Sequence, residues 1–119
     1  MEKGGTSDMN RVLQLLRVFG LTMIESEVYV YLAKTGPQNI EDLDRMFGTT
    51  KPQFFRILRA LKEKGVMVSN PQKPEVVASI PFEEILESYL KSNIDKMQKV
   101  AENRDELLSI WKDMKFKVN

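Results

Sequence analysis

The chain has 119 residues, the length of one domain or of a small domain carrying an extended helix, and its 42% apolar content suffices for one modest core. It contains neither cysteine nor histidine, which excludes thiolate nucleophiles, disulfides, iron–sulfur ligation, ordinary zinc sites and triads built on an imidazole base. Its 18 basic and 17 acidic residues nearly cancel, so charge is informative only segment by segment.

The stretch MEKGGTSD, residues 1–8, is polar and glycine-rich, reads as a disordered tail, and lacks the apolar core of a signal peptide. A first helix is predicted over Met9 to Phe19, with Asp8 as N-cap, Val12, Leu15, Leu16 and Phe19 at helical spacing, and Gly20 as its stop. Thr22 opens a second helix with Glu25 three residues on, a capping box that satisfies two orphan backbone amides. Val28, Tyr31 and Leu32 continue its buried stripe to Lys34, and Gly36 with Pro37 ends it.

A short third helix follows Asn39, a good N-cap, and turns Ile40, Leu43, Met46 and Phe47 inward before Gly48. The fourth has Thr50 as N-cap, Pro52 in its first turn and Gln53 completing a second capping box. Phe54, Ile57, Leu58 and Leu61 form its buried face, and Gly65 closes it. Helix, short turn, helix is the helix-turn-helix arrangement. Val66 and Val68, then Val76, Val77 and Ile80, read as two strands joined by a turn over Asn70 to Pro74. A helix running straight into a β-ribbon is the working end of a winged helix.

From Pro81 the chain runs without proline or glycine to about Lys115, a helix about 50 Å long at 1.5 Å per residue. Leu90, Ile94, Met97, Ala101, Arg104, Leu108 and Trp111 alternate steps of four and three, the heptad spacing of a coiled-coil seam, which calls for a partner helix. The alternative is that this stripe packs back on the chain's own first helix. The fold class is therefore mainly α with a small β-ribbon: a winged helix-turn-helix over residues 9–81 and a long C-terminal dimerisation helix over residues 82–119. No run approaches the ~20 apolar residues of a membrane span, and a cytoplasmic protein is expected.

Cofactor chemistry finds little support. The six glycines lie in the tail or at helix ends, so no loop cradles a phosphate. Glu41, Asp42 and Asp44 could in principle hold magnesium, but acids in the first turn of a helix ordinarily complement its dipole. No cofactor and no metal are expected.

Charge by segment points elsewhere. Between Arg45 and Lys73 seven basic residues (Arg45, Lys51, Arg56, Arg59, Lys62, Lys64, Lys73) stand against the single acid Glu63, a net of +6 between flanks of −4 each. Segregated positive charge is the footprint of a phosphate-binding face. Subtracting the buried stripe of the fourth helix leaves Lys51, Gln53, Phe55, Arg56 and Arg59 outward or on its flanks. Arginine pairs bidentately with guanine, glutamine with adenine, and a ring contacts the thymine methyl. Thr49 and Lys51, at the helix N-terminus, suit phosphates, and Lys73 in the ribbon suits a phosphate or the minor groove. The plainer readings are a solvated basic face and, for Phe55, a core position if the helix is rotated by one residue.

The run from Gly20 to Leu86 resembles the DNA-binding domain of the TrmB family of transcriptional regulators, common in archaea, with similarity from about Leu13 to Leu90. The elements that carry it are Gly20-Leu21-Thr22 with Glu25 and Val28-Tyr29, Gly36-Pro37, Leu61-Lys62-Glu63-Lys64-Gly65-Val66, and Pro81 before Glu83-Glu84. The resemblance implies a homodimeric regulator that binds double-stranded DNA, with the helix at Pro52 to Lys64 in the major groove and the last helix as dimer contact. Many members carry a sugar-binding domain after the coiled coil; here the sequence ends at Asn119, and sugar sensing is not carried over. Two other readings stand beside it. One is a protein-interaction winged helix within a larger assembly, suggested by the sparse charge of the ribbon. The other is a dimerisation module of a larger catalyst. No small-molecule effector is legible.

Overall fold

The computed structural model describes the backbone of residues 2–118 and the side chains of residues 8–114. The chain divides into two compact units, one ending at Ile85 and one beginning at Leu86.

The first unit holds α1 (Glu2–Val18), α2 (Met23–Thr35), β1 (Gln38–Asn39), α3 (Ile40–Phe47), α4 (Lys51–Glu63), β2 (Met67–Asn70), β3 (Val76–Ser79) and the first turn of α5 (Phe82–Glu102). Helical backbone begins at Glu2, within the stretch expected to be a tail; the side chains of residues 2–7 lie outside the described residues. Both capping boxes form. Thr22 Oγ1 accepts from Glu25 N at 3.2 Å while Thr22 N donates to Glu25 Oε1 at 2.9 Å. Thr50 Oγ1 accepts from Gln53 N at 3.3 Å, and Thr50 N donates to Gln53 Oε1 at 3.1 Å. Each such cap stabilises its helix by about 1 kcal/mol. Gly48, between α3 and α4, sits at φ 64°; no atom crowds a Cβ there, so glycine is favoured by backbone conformation rather than by space.

The core gathers one face from each helix. Leu16 of α1, Val28, Tyr29 and Leu32 of α2, Leu43 of α3, and Phe54, Leu58 and Leu61 of α4 are buried together with Met67, Val77 and Ile85. One expected core residue differs. Met46 is 57% exposed, because α3 is only two turns long and its buried side is taken by Leu43, while Phe47 meets Tyr31 edge-on at 5.7 Å. In β2, Met67 faces inward and strand alternation then sends Val68 out; Val66, also buried, lies before the strand in the turn after α4.

The ribbon is part of a three-stranded antiparallel sheet ordered β1-β3-β2. β2 and β3 pair from Met67 opposite Ser79 to Asn70 opposite Val76. β1 has no counterpart among the elements expected from sequence: Gln38 and Asn39 pair with Val77 and Val76, and Asn39 also caps α3 through Asp42 N at 2.8 Å. Two residues carry no alternation to read, so this strand exists only through its tertiary partner.

In the second unit, the continuous helix expected from Pro81 to Lys115 is interrupted at Asn103, giving α5 and α6 (Arg104–Val118). There the Asn103 amide turns to Val100 O at 3.3 Å while Asn103 Nδ2 donates to Lys99 O at 2.8 Å; Asn93 makes the same side-chain bond to Tyr89 O inside unbroken α5, so that bond alone does not break the helix. The expected seam residues Leu90, Ile94, Met97, Ala101, Leu108 and Trp111 are all exposed. So are Val100, Leu107, Ile110 and Met114, which widens the apolar stripe beyond a single heptad seam.

Tyr29 ties α2 to the exit from the sheet. Its hydroxyl donates to Ile80 O at 2.6 Å, and burial, with the Glu83 carboxylate second, pushes its pKa from 10.0 up to about 12. A raised tyrosine pKa contributes stability that is complete below pH 10 and is lost as pH rises toward 12. Tyr29→Phe should therefore cost about 1–2 kcal/mol at pH 8 in urea denaturation, and the gap from wild type should narrow at pH 11. An unchanged gap would show that the hydroxyl bond does not carry this stability.

Candidate nucleic-acid interface

The candidate surface is built on α4, whose orientation follows from which face is apolar. Phe54 is 1% exposed and Phe55 48%, so the alternative of a helix rotated by one residue is not the one adopted. The two rings meet obliquely at 6.0 Å. Arg56 and Arg59, three positions apart, lie on one exposed face. Neither side chain makes an ion pair or hydrogen bond among the described residues.

Most of the other bases of the positive segment are engaged among the described residues. Arg45 is paired with Asp42 one helical turn before it. Lys62 meets Glu75 at 3.1 Å and Lys64 meets Glu25 at 2.6 Å. Lys51 lies 3.8 Å from Asp44 with its side chain largely in solvent. That leaves Arg56, Arg59 and Lys73, with Lys51 loosely held. Sequence counting missed this neutralisation because the acids concerned, Glu25, Asp42 and Glu75, lie outside the window from Arg45 to Lys73. Only Asp42, at i,i+3 from Arg45, left a local signal.

Two expected contacts change. The Thr49 hydroxyl is buried with no hydrogen-bond partner among the described residues, so this side chain is turned away from the surface where a phosphate would lie. Gln53 is exposed, but its Oε1 accepts the Thr50 amide at 3.1 Å. Bidentate pairing with adenine needs that oxygen as acceptor, so only the amide NH2 is free to read a base. Lys73 stands exposed in the β2–β3 turn, before a cis peptide bond to Pro74.

Residues 16–83 match the family described as the sugar-specific transcriptional regulator TrmB. The chain belongs to the TrmB family. It is 30% identical over 109 residues to the HTH-type sugar sensing transcriptional regulator TrmBL1 of Pyrococcus furiosus, covering 84% of this chain and 32% of that protein. It is 26% identical over 110 residues to the DNA-binding HTH-type transcriptional repressor TrmBL2 of Thermococcus kodakarensis, covering 88% of this chain and 42% of that one. The chain thus spans about a third to two fifths of the length of these relatives. Among solved structures, that of TrmBL2, described as an archaeal chromatin protein with a novel mode of DNA binding, superposes with a TM-score of 0.74 at 20% identity over 93% of this chain and 43% of its own. A MarR structure reaches 0.54 at 19% identity over 98% of this chain and 93% of its own. At these identities the likeness is one of fold: a mainly helical winged helix-turn-helix with a small antiparallel sheet and long C-terminal helices.

A family of transcriptional regulators, not of enzymes, agrees with the chemistry excluded by composition. Among the described residues, no helix is long and apolar enough to cross a membrane and no acidic cluster could hold a metal ion.

The Lys62–Glu75 pair joins the last turn of α4 to the β2–β3 turn. The hydrogen bond from Lys62 holds the Glu75 carboxyl below its ordinary 4.5, against a smaller opposing effect of burial and with further help from Ser69. A lowered carboxylate pKa contributes stability that is present above pH 4.5 and fades as pH falls through the lowered value. Glu75→Gln should cost about 0.5 kcal/mol at pH 7, the scale of a partly exposed pair, and less at a pH well below 4.5, measured by urea denaturation at both. An equal loss at both pH values would assign the effect to packing.

Proposed function

We propose that the chain binds double-stranded DNA as a homodimeric transcriptional regulator, with α4 in the major groove. The observation that carries the reading is the pair of guanidinium groups, Arg56 and Arg59, unengaged among the described residues on the exposed face of the second helix of a helix-turn-helix. The names of two relatives, one a DNA-binding repressor, support it.

Roles follow from position on α4. Arg56 and Arg59 are the candidates for guanine edges, Phe55 for a thymine methyl, and the Gln53 NH2 for one acceptor. Lys51, in the first turn of α4, and Lys73, at the ribbon tip, are placed for phosphates, which fix register without reading sequence. Arg45, Lys62 and Lys64 contribute less than their charge suggests, since each already has a carboxylate.

Dimerisation through Leu90, Ile94, Met97, Ala101, Leu108 and Trp111 would set two α4 helices about 34 Å apart on successive major grooves, so the operator is an imperfect palindrome. Arg104 at a seam position and the interruption at Asn103 limit how long one regular coil runs. The second reading, a protein-interaction winged helix, is favoured by one observation: three of the segment's seven basic groups are neutralised within the fold.

Selection of a random-sequence duplex pool on the purified protein at two salt concentrations, with sequencing of the retained fraction, separates the two. A palindromic sequence, bound with affinity that falls steeply with salt, is expected. No enrichment and negligible binding at low salt would leave the protein-interaction reading. On the enriched duplex, Arg56→Ala should weaken binding by about 1–3 kcal/mol and relax one position per half-site; equal weakening on every sequence would make Arg56 a phosphate contact. Replacing Met97 and Leu108 together by glutamate should halve the mass in sedimentation equilibrium. A mass that stays dimeric would show that the seam lies elsewhere.

A further inference from the structure

The recognition-helix candidate is fastened to the helical scaffold by a side chain outside the proposed contacts. Lys64 follows the last residue of α4, and its ammonium donates to Gly20 O at 2.8 Å and to Glu25 Oε1 at 2.6 Å. The same Glu25 oxygen accepts the Thr22 amide at 2.9 Å. One ammonium and one carboxylate thus join the C-terminal end of α1, the N-cap of α2 and the C-terminal end of α4. Glu25 is only 6% exposed, and Lys64 is the base that pairs with it.

We propose that Lys64 is a positioning residue for DNA binding, holding α4 at a fixed angle to α1 and α2 without itself touching nucleic acid. This rests on the DNA-binding reading above. The apolar contacts of Phe54, Leu58 and Leu61 hold α4 on the core, but burial is non-directional and sets angle only loosely. The Thr50–Gln53 box is internal to the start of α4 and fastens it to nothing else. Lys62 ties it to the ribbon. Lys64 supplies the directional bonds to the first two helices. The geometry makes this matter: the 13 residues of α4 are about 20 Å long, so a tilt of about 5° at the Lys64 end moves the opposite end by nearly 2 Å. Base-edge hydrogen bonds tolerate only about 0.5 Å of misplacement.

The sequence alone would count Lys64 among the phosphate-binding bases. Its bonds argue otherwise. Swinging the ammonium to a phosphate would strand the Glu25 carboxylate in a nearly dry site with only an amide for partner, a costly exchange. The two roles differ in what they do to binding. A phosphate contact adds to affinity on every sequence and to the salt dependence, whereas a positioning contact acts only where α4 must meet particular bases.

The test compares wild type with Lys64→Arg, Lys64→Met and the double variant Glu25→Gln/Lys64→Met, by fluorescence anisotropy on the enriched duplex and on a scrambled duplex of equal length. The double variant is the decisive one. Its glutamine side chain keeps the acceptor that caps α2 and leaves no unpaired buried charge, so this variant should fold and melt cooperatively even if Lys64→Met alone does not. It should lose on the order of tenfold in affinity for the enriched duplex, comparable to one misplaced base contact, with unchanged salt slope and unchanged affinity for the scrambled duplex. Lys64→Arg, which retains charge and donors, should bind as wild type. Wild-type affinity in the double variant would overturn the proposal and leave the DNA-binding reading intact. An equal loss on both duplexes, with the salt slope reduced by about 0.9 per protomer, would overturn it in favour of a phosphate contact. A wild-type chain that binds neither duplex would remove the DNA-binding reading and this inference with it.

Discussion

Everything presented by α4 follows from the burial of its opposite side. Phe54, Leu58 and Leu61 recur at helical spacing and are driven into the core with Val28, Tyr29 and Leu32. At about 100° per residue, this placement leaves no freedom over which side chains emerge. A helix of 13 residues with two aromatic rings in succession had two ways to settle, and burying Phe54 rather than Phe55 selects the one that turns Arg56 and Arg59 outward. The charged face is in this sense a by-product of the apolar one.

The same fold redistributes charge. A segment with seven bases and one acid emerges with three bases bonded to carboxylates from α2, α3 and the β2–β3 turn. Lys62 and Lys64, at the end of α4, bond the helix to its neighbours, while Arg56 and Arg59, near its middle, have no ion pair or hydrogen bond among the described residues. A partly exposed ion pair such as Lys62–Glu75 adds little stability, and its value here is geometric, since it fixes direction where apolar packing does not.

What was legible in the sequence was what is local. Both capping boxes, the Asn39 cap, the glycine stops at Gly20, Gly48 and Gly65, and the inward stripes of α2 and α4 each depend on residues within four positions of one another. What was not legible depends on distant partners. β1 exists because Val76 and Val77 come beside Gln38 and Asn39; the Lys64 contacts span 39 and 44 positions; Glu75 reaches Lys62 across the ribbon. The break at Asn103 was also missed, because an asparagine in a long helical pattern reads as merely neutral, and Asn93, with the same side-chain bond earlier in the helix, leaves α5 unbroken. For the candidate site, the helix and its exposed face were readable, whereas the inward hydroxyl of Thr49 and the occupied oxygen of Gln53 were not.

The two capping boxes also bear on how such a protein can diversify. The box needs a glutamate or a glutamine at its third helical position. α2 uses Glu25, where the negative charge is answered by Lys64; α4 uses Gln53, at the end of a helix proposed to face a polyanion, where a second glutamate would repel the ligand. Position 53 is thereby narrowed to glutamine by two independent demands, helix initiation and charge. Positions 56 and 59, whose side chains bond to nothing else among the described residues, are less bound by such demands than position 55, whose ring also meets the buried Phe54.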